Sequence, residues 1–197
     1  MREEKEIIEA VVSGDLEAFS ALVRAHQTRV RLSCLIYLGN KEEADDAAQD
    51  VFVKAFKGIT GFKGEASFET WLLRIADNHC RDILRTRKSR RMTSLDALLA
   101  ENGDAMEGLL TRTCRPGETP VYSSDDLELL GRLFSALPQE DREVLALREG
   151  ENLPYEEIAQ RLSCSLDAVK GRLKRARAAL SEKCRHFLDT SAPQPRL

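Results

Sequence analysis

At 197 residues, with 42% apolar and 32% charged side chains, the chain can make one domain or two small ones, and its few aromatics and short β-branched runs favour amphipathic helices over sheets. The net charge of −3 is unevenly spread: residues 57–91 hold 9 Lys+Arg against 4 Asp+Glu and residues 163–197 hold 8 against 3, whereas 1–56, 92–130 and 131–162 come to −4, −6 and −3. Two basic blocks in an acidic chain point to nucleic acid at two places and exclude a general counterion-release binder, which is basic throughout.

No stretch approaches the ~18 continuous apolar residues of a membrane span, and MREEKEIIEA lacks the apolar core and cleavage site of a signal peptide, so membrane insertion is not expected and the expected location is the cytoplasm. Five cysteines, at 34, 80, 114, 164 and 184, are odd in number and form no CxxC pair, so they read as buried or incidental thiols in a reducing compartment. His26, His79 and His186 have no ligand-spaced companions, and the first two fall on apolar stripes. No Gly-rich phosphate loop, metal cluster or nucleophile triad is present. Neither catalysis nor a cofactor is expected, and a nucleic-acid-processing enzyme is disfavoured because no paired carboxylates accompany the basic blocks.

In chain order, Gly14-Asp15 starts a first long helix in which Leu16, Phe19, Leu22, Val23, His26 and Val30 recur at helical spacing until Gly39. Asn40 with Glu43 resembles a capping box. It opens a second helix with the stripe Ala44, Ala47, Ala48, Val51, Phe52, Ala55 and Phe56 and an outer face of Asp45, Asp46, Gln49, Asp50 and Lys54, which taken alone is a solvated surface. Gly58 and Gly61 close it. The loop Phe62-Lys63-Gly64-Glu65-Ala66 leads to Ser67, the N-cap of a third helix with Phe68, Trp71, Leu72, Ile75, Ala76, His79 and Ile83 inward. Opposite them Arg74, Arg81, Arg85 and Lys88 form a stripe that tracks phosphates, extended by Arg87, Arg90 and Arg91, with Asp77 paired to Arg81 one turn on. The neighbouring loop suits unpaired bases; Trp71 invites stacking, but its stripe favours the core.

Residues 92–126 lose periodicity and collect Gly, Pro and Ser among acidic residues, the composition of a flexible linker. A second module spans 127–188, with helices at 127–136 and, after Pro138, at 139–149; a tail follows at 189–197. Pro154 opens a further helix carrying Ile158, Ala159 and Leu162. After the turn Ser163-Cys164, Ser165 caps a longer one whose Leu166, Val169, Leu173, Ala176 and Leu180 face inward, which is helix-turn-helix spacing. Asp167, Gly171, Lys174, Arg175 and Ala178 face outward, flanked by Lys170, Arg172 and Arg177; the alternative is a solvated basic face on an ordinary helical hairpin. Gly171 in mid-helix costs about 1 kcal/mol relative to Ala and hints at close approach by another surface. The expected fold class is all-α: two small helical domains joined by a flexible linker.

The strings ADDAAQDVF (44–52), FETWLLRIADN (68–78) and VKGRLKRAR (169–177), in this order and spacing, resemble the bacterial sigma-70 family, its extracytoplasmic-function subgroup above all. The resemblance makes 1–91 a region 2-like and 127–188 a region 4-like domain. It implies a factor that directs core RNA polymerase to promoters and promotes their opening. It further implies that Asp45, Asp46, Gln49, Asp50 and Phe52 dock on the clamp helices of the largest polymerase subunit, and that the second domain meets the flap of the second-largest. Phe62, Lys63, Gly64, Glu65, Ala66, Ser67, Arg74, Asn78, Arg81, Arg85 and Lys88 would take the minus-ten element, duplex and melted non-template strand. Ser165, Lys170, Gly171, Arg172, Lys174, Arg175 and Arg177 would read the minus-thirty-five element in the major groove. By the same analogy the acidic linker threads a basic nucleic-acid channel of polymerase, and an anti-sigma factor is an expected partner. If the two elements lie about two duplex turns apart, roughly 70 Å, a linker of about 35 residues reaches them at its ~120 Å limit. Its coil dimension is only about 30–35 Å, so an external scaffold must hold the modules apart. A stand-alone repressor or activator using only the C-terminal motif is the competing reading, and it leaves the N-terminal module unexplained.

Overall fold

The computed structural model describes the backbone of residues 2–93 and 122–191 and the side chains of 4–87 and 122–183, and every described element is helical. The linker residues 94–121, the tail from 192, and the side chains of Lys88, Arg90, Arg91, Cys114, Cys184 and His186 lie outside these.

The chain opens with a helix that local punctuation does not announce, α1 (Arg2–Val12), which buries Ile8 and Val11. Gly14, at φ +100°, and Asp15 return backbone N–H groups to Val11 and Ala10 and end it. Asp15 then caps α2 (Leu16–Leu38), its Oδ1 accepting from the N–H of Glu17 at 2.9 Å and of Ala18 at 3.1 Å. Gly39 terminates α2 in the left-handed region, φ +69°. Asn40 caps α3 (Lys41–Gly58) through the Glu43 N–H, but the capping box is only half formed, because the Glu43 carboxylate pairs with Arg87 instead of the cap backbone. A 3-10 turn (Ile59–Gly61) and a loop lead to α4 (Phe68–Thr93), capped by Ser67 through the Thr70 N–H.

In the second module α5 (Ser124–Ser135) begins three residues before the expected start, because Ser123 and Asp126 form a reciprocal capping box there. The helix expected over 139–149 is α-helical only over α6 (Gln139–Leu145) and then widens into a π turn, Ala146–Gly150. That turn is one of the places where the second module meets the first. The pair α7 (Tyr155–Arg161) and α8 (Leu166–Ser191) completes the module; Ser165 caps α8 through the Ala168 N–H at 3.1 Å, and Val169, Leu173, Ala176 and Leu180 are buried as the spacing requires.

α2 organises the molecule. Its first half buries one face, but every residue from Ser33 to Leu38 is buried, so its last two turns are enclosed on all sides. α3 and α4 cover one side and the second module the other. Contact there is close: a Cβ on Gly39 would lie 2.8 Å from the Ser135 Cα in α5, and one on Gly131 would lie 3.3 Å from Leu35 Cδ1. The two modules thus pack together, and one apolar core runs through both.

Candidate nucleic-acid interface

Three surfaces carry the expected contacts, and the structure places their residues unequally. On α3, Asp46 and Gln49 are exposed and make no polar contact among the described residues. Asp45 is half-buried and pairs with Arg31 at 2.7 Å; Asp50 is exposed and pairs with His79 at 3.2 Å. Phe52 packs partly against the core, while Val53 and Phe56 on the same outer face remain 51% and 40% exposed. The outer face of α3 is therefore acidic at its N-terminal end, while its C-terminal end sets exposed Val53 and Phe56 beside exposed Lys54 and Lys57, and Phe56 does not turn inward as its place on the stripe suggests.

The loop before α4 presents exposed Lys63, Gly64, Glu65 and Ser67, with Ala66 half-buried. Gly64 sits at φ +71°, and a Cβ there would have nothing within 4 Å, so the turn needs glycine for its backbone alone. Phe62 stands edge-on to Phe68, with centroids 5.7 Å apart at 89°, and 5.4 Å from Trp71. Phe68 is fully buried and Trp71 half-buried against Gly58, so the core role expected for both holds, and Phe62 forms the accessible edge of that aromatic cluster.

Along α4, Arg74, Asn78 and Arg85 are exposed. Arg81 departs from the outward phosphate stripe: it is half-buried between the modules and donates to the Arg161 carbonyl at 3.4 Å. Lys88 lies outside the described side chains. The expected Asp77–Arg81 pair exists only at 3.8 Å. Asp77 is fully buried, accepts from the Tyr37 hydroxyl at 2.5 Å, and meets Arg161 of α7 at 2.5 Å. Arg161 also reaches Glu151 at 3.4 Å, closing a chain of charges across the module boundary. Burial raises the Glu151 carboxyl to about 7, against the pull of Arg161, and burial with Asp77 beside it raises the Tyr37 hydroxyl well above its ordinary value. The sequence does carry a signal for this cluster: SCLIYL (33–38) is apolar nearly all round, which a helix packed on one face does not need.

On α8 the exposed cations are Lys170, Lys174, Arg175 and Arg177, with Ser165 exposed at its start and Gly171 half-buried. Three arginines are held by acids of their own module. Arg172 pairs with Glu140 at 2.6 Å, Arg175 with buried Asp141 at 3.0 Å, and Arg177 with Glu149 at 2.5 Å, a bond that raises the Arg177 guanidinium further. Lys170 and Lys174 make no ion pair among the described residues. A Cβ on Gly171 would meet only Arg175 at 3.7 Å, so nothing in the chain itself demands glycine there. Among the described residues no helix is long and apolar enough to cross a membrane, and no cluster of His, Cys, Asp and Glu could hold a metal. Cys34, Cys80 and Cys164 are free thiols, the first two buried.

Comparison with known proteins agrees with this layout. Residues 22–90 match the family model Sigma-70 region 2, and residues 127–180 match Sigma-70, region 4. The ECF RNA polymerase sigma-E factor of Escherichia coli (strain K12) is 34% identical over 178 residues, covering 90% of this chain and 92% of that protein. The RNA polymerase sigma-H factor of Pseudomonas aeruginosa is 32% identical over 189 residues, covering 94% and 96%. Among solved structures, CnrH in complex with the cytosolic domain of CnrY aligns with TM-score 0.53 at 25% identity, covering 96% of this chain and 99% of that one. The sigma factor RpoE in complex with the anti-sigma factor NepR from Bartonella quintana aligns with TM-score 0.58 at 22% identity, covering 86% and 98%, and shares the fold.

Proposed function

The chain belongs to the sigma-70 family, in its extracytoplasmic-function branch, and from that premise we propose how its surfaces divide the work. It directs RNA polymerase to promoters for transcription initiation. The outer face of α3, through Asp46, Gln49, Asp50 and Phe52, docks on the clamp helices of polymerase; acidic and apolar residues on one exposed face suit a partner surface better than bulk water. Residues 1–91, 92–126 and 127–188 serve as the polymerase-docking and minus-ten module, the linker and the minus-thirty-five module. The Phe62 edge, the exposed loop after it, and Arg74, Asn78 and Arg85 take the melted non-template strand. An extruded base costs a few kcal/mol of stacking, which an aromatic edge beside hydrogen-bonding side chains repays. Lys170 and Lys174, with the paired arginines behind them, meet the upstream duplex, while the flap holds the second module. The factor itself performs no chemistry, works in the cytoplasm and is restrained there by an anti-sigma factor.

The observation that carries this reading is the exposed Asp46–Gln49 pair on α3, which satisfies nothing within the described chain. The test is run-off transcription with purified core polymerase on a library of promoter fragments. Specific initiation that depends on the factor is expected. Specific footprints without polymerase, and no stimulation with it, would favour a stand-alone DNA-binding regulator.

A further inference from the structure

Of the three arginines on α8 that meet acids of their own module, one is paired unlike the others. Glu140 and Glu149, the partners of Arg172 and Arg177, have side chains 70% and 49% exposed, so water screens both pairs. Asp141, the partner of Arg175, is only 4% exposed, while the Arg175 side chain itself stays 64% exposed. The acid is inside and the cation outside, joined from Nη2 to Oδ1 at 3.0 Å. Asp141 lies in the first turn of α6, its backbone N–H donating to the Pro138 carbonyl at 3.0 Å. Its carboxylate is therefore held more firmly by the packing of the module than the two exposed acids are.

Gly171, one helical turn before Arg175, presents no side chain beside the guanidinium; even a Cβ there would stand 3.7 Å from Nη1. Arg175 has no other hydrogen-bond or ion-pair partner among the described residues, so one terminal nitrogen is tethered and the remaining N–H donors are left for a ligand. A guanidinium tethered this way differs from a solvated one in two respects. Its rotamers are restricted before DNA arrives, so less ordering entropy is lost on binding. The carboxylate also offsets the charge that would draw the arginine to any phosphate, while leaving the planar fork that matches the O6 and N7 acceptors of guanine. The pair is weak in attraction and strong in orientation, which suits a base edge better than a backbone.

We infer that Asp141 is a positioning residue for the upstream duplex: it sets the orientation of Arg175 and thereby a preference for guanine at one base pair. This rests on the reading above that α8 meets that duplex; the tether itself does not.

The test uses the full chain, free and assembled with core polymerase. In the free chain, nitrogen relaxation of arginine Nε groups compares Arg175 with Arg132, whose side chain is equally exposed, at 64%, and bonded at 2.9 Å, but to Glu128, an acid itself 57% exposed. Arg175 should give an order parameter above about 0.6 and Arg132 one below it. Equal values would overturn the positioning, and this comparison needs no variant to fold. In the holoenzyme, affinities are measured for promoter fragments carrying each single base-pair change in the upstream element, with wild type, Arg175→Ala, Asp141→Asn and the double variant. Asp141→Asn keeps the shape and an acceptor oxygen and removes the charge. The wild type should prefer guanine at one base pair by about tenfold, and Arg175→Ala should erase that preference. Asp141→Asn should lose most of the same preference and steepen the salt dependence of binding by about one ion. The double variant should match Arg175→Ala, because the acid acts only through the arginine. A merely structural acid would instead lower the melting temperature and weaken every fragment alike; that pattern, or an intact preference in folded Asp141→Asn, would overturn the proposal. An intact preference in Arg175→Ala would remove Arg175 from base reading and the proposal with it. Loss in Arg175→Ala alone would leave the reading of the duplex standing and refute only the role of Asp141.

Discussion

Raising the pH from 5 to 8.5 should loosen the contact between the modules, and Glu151 sets the size of the effect. Its carboxyl is held at about 7 by burial between α7 and α4, against an ordinary value of 4.5; Arg161, Arg74 and Arg81 act to lower it and Asp77 to raise it. A carboxyl raised in the closed state is protonated there when it would be ionised in the open state. Its contribution to closure is therefore complete below about 4.5 and is lost as pH rises through about 7. The difference between about 7 and 4.5, at about 1.36 kcal/mol per pH unit, corresponds to about 3 kcal/mol, an upper bound because part of the burial comes from the second module itself. That is up to about three-hundredfold in the closed-to-open ratio. Scattering and amide exchange of the α2 segment 33–38, followed across this range at constant ionic strength, should show closure weakening progressively between about pH 4.5 and about 7 and levelling off above. Glu151→Gln keeps the shape and fixes the neutral form, so its profile should be flat and its compactness at pH 8.5 should match the wild type at pH 5. A variant whose profile tracks the wild type, or a wild type that tightens as pH rises, would refute the assignment.

Gln49→Ala with Asp50→Ala should reduce affinity for core polymerase at least tenfold with an unchanged melting temperature, since both side chains are exposed and only Asp50 has an internal partner, His79; wild-type affinity would remove α3 from the docking role. The two kinds of cation on α8 should behave differently: Lys174→Ala should reduce the salt dependence of upstream-duplex binding in the holoenzyme by about one ion and leave stability alone. Arg175→Ala should instead lower stability by about 1–3 kcal/mol in thermal unfolding, because it orphans buried Asp141. Equal melting points for the two variants would show that the Arg175–Asp141 pair carries no structural weight.

The parts of this structure that local sequence rules describe are those whose partners are local. Asp15, Gly39, Asn40, Ser67 and Ser165 sit at helix ends because each satisfies or releases backbone groups a few residues away, and the stripe of α8 is buried as spaced. Departures occur where a distant segment decides. Helical spacing pairs Asp77 with Arg81, its neighbour by one turn, but the second module supplies Arg161 at shorter range, and the buried position follows from that partner. Arg81 reads as an outward cation from helical phase alone, yet α7 covers it. Phe56, inward by its place on the α3 stripe, stays exposed and meets Phe19 edge-on, with centroids 4.9 Å apart. Arg29 bonds a carbonyl 121 residues on, which no periodicity encodes. The apolar run 33–38 is the one local sign that α2 has a second packing partner.

Charge counted along the chain also overstates what DNA meets. The second basic block is net +5 by sequence, but Arg172, Arg175 and Arg177 are each neutralised by Glu140, Asp141 and Glu149 of the same module, which lie outside that block. The binding field of α8 therefore falls mainly to Lys170 and Lys174, and fewer phosphate contacts mean less counterion release and weaker binding to arbitrary DNA. For a factor that reaches promoters on polymerase, this is an advantage. A module with strong non-specific affinity would be held across the genome before assembly, whereas under the proposed division of surfaces one whose arginines are positioned by internal acids would gain its DNA contacts only when polymerase presents the duplex in register. The same acids fix the guanidiniums in place, so the face proposed to meet the upstream duplex is organised before DNA arrives and would lose less side-chain entropy on binding. The acidic segments and the basic helices thus act on one another directly: part of the acid that makes the whole chain negative holds the arginines of α8, the helix proposed to meet the upstream duplex.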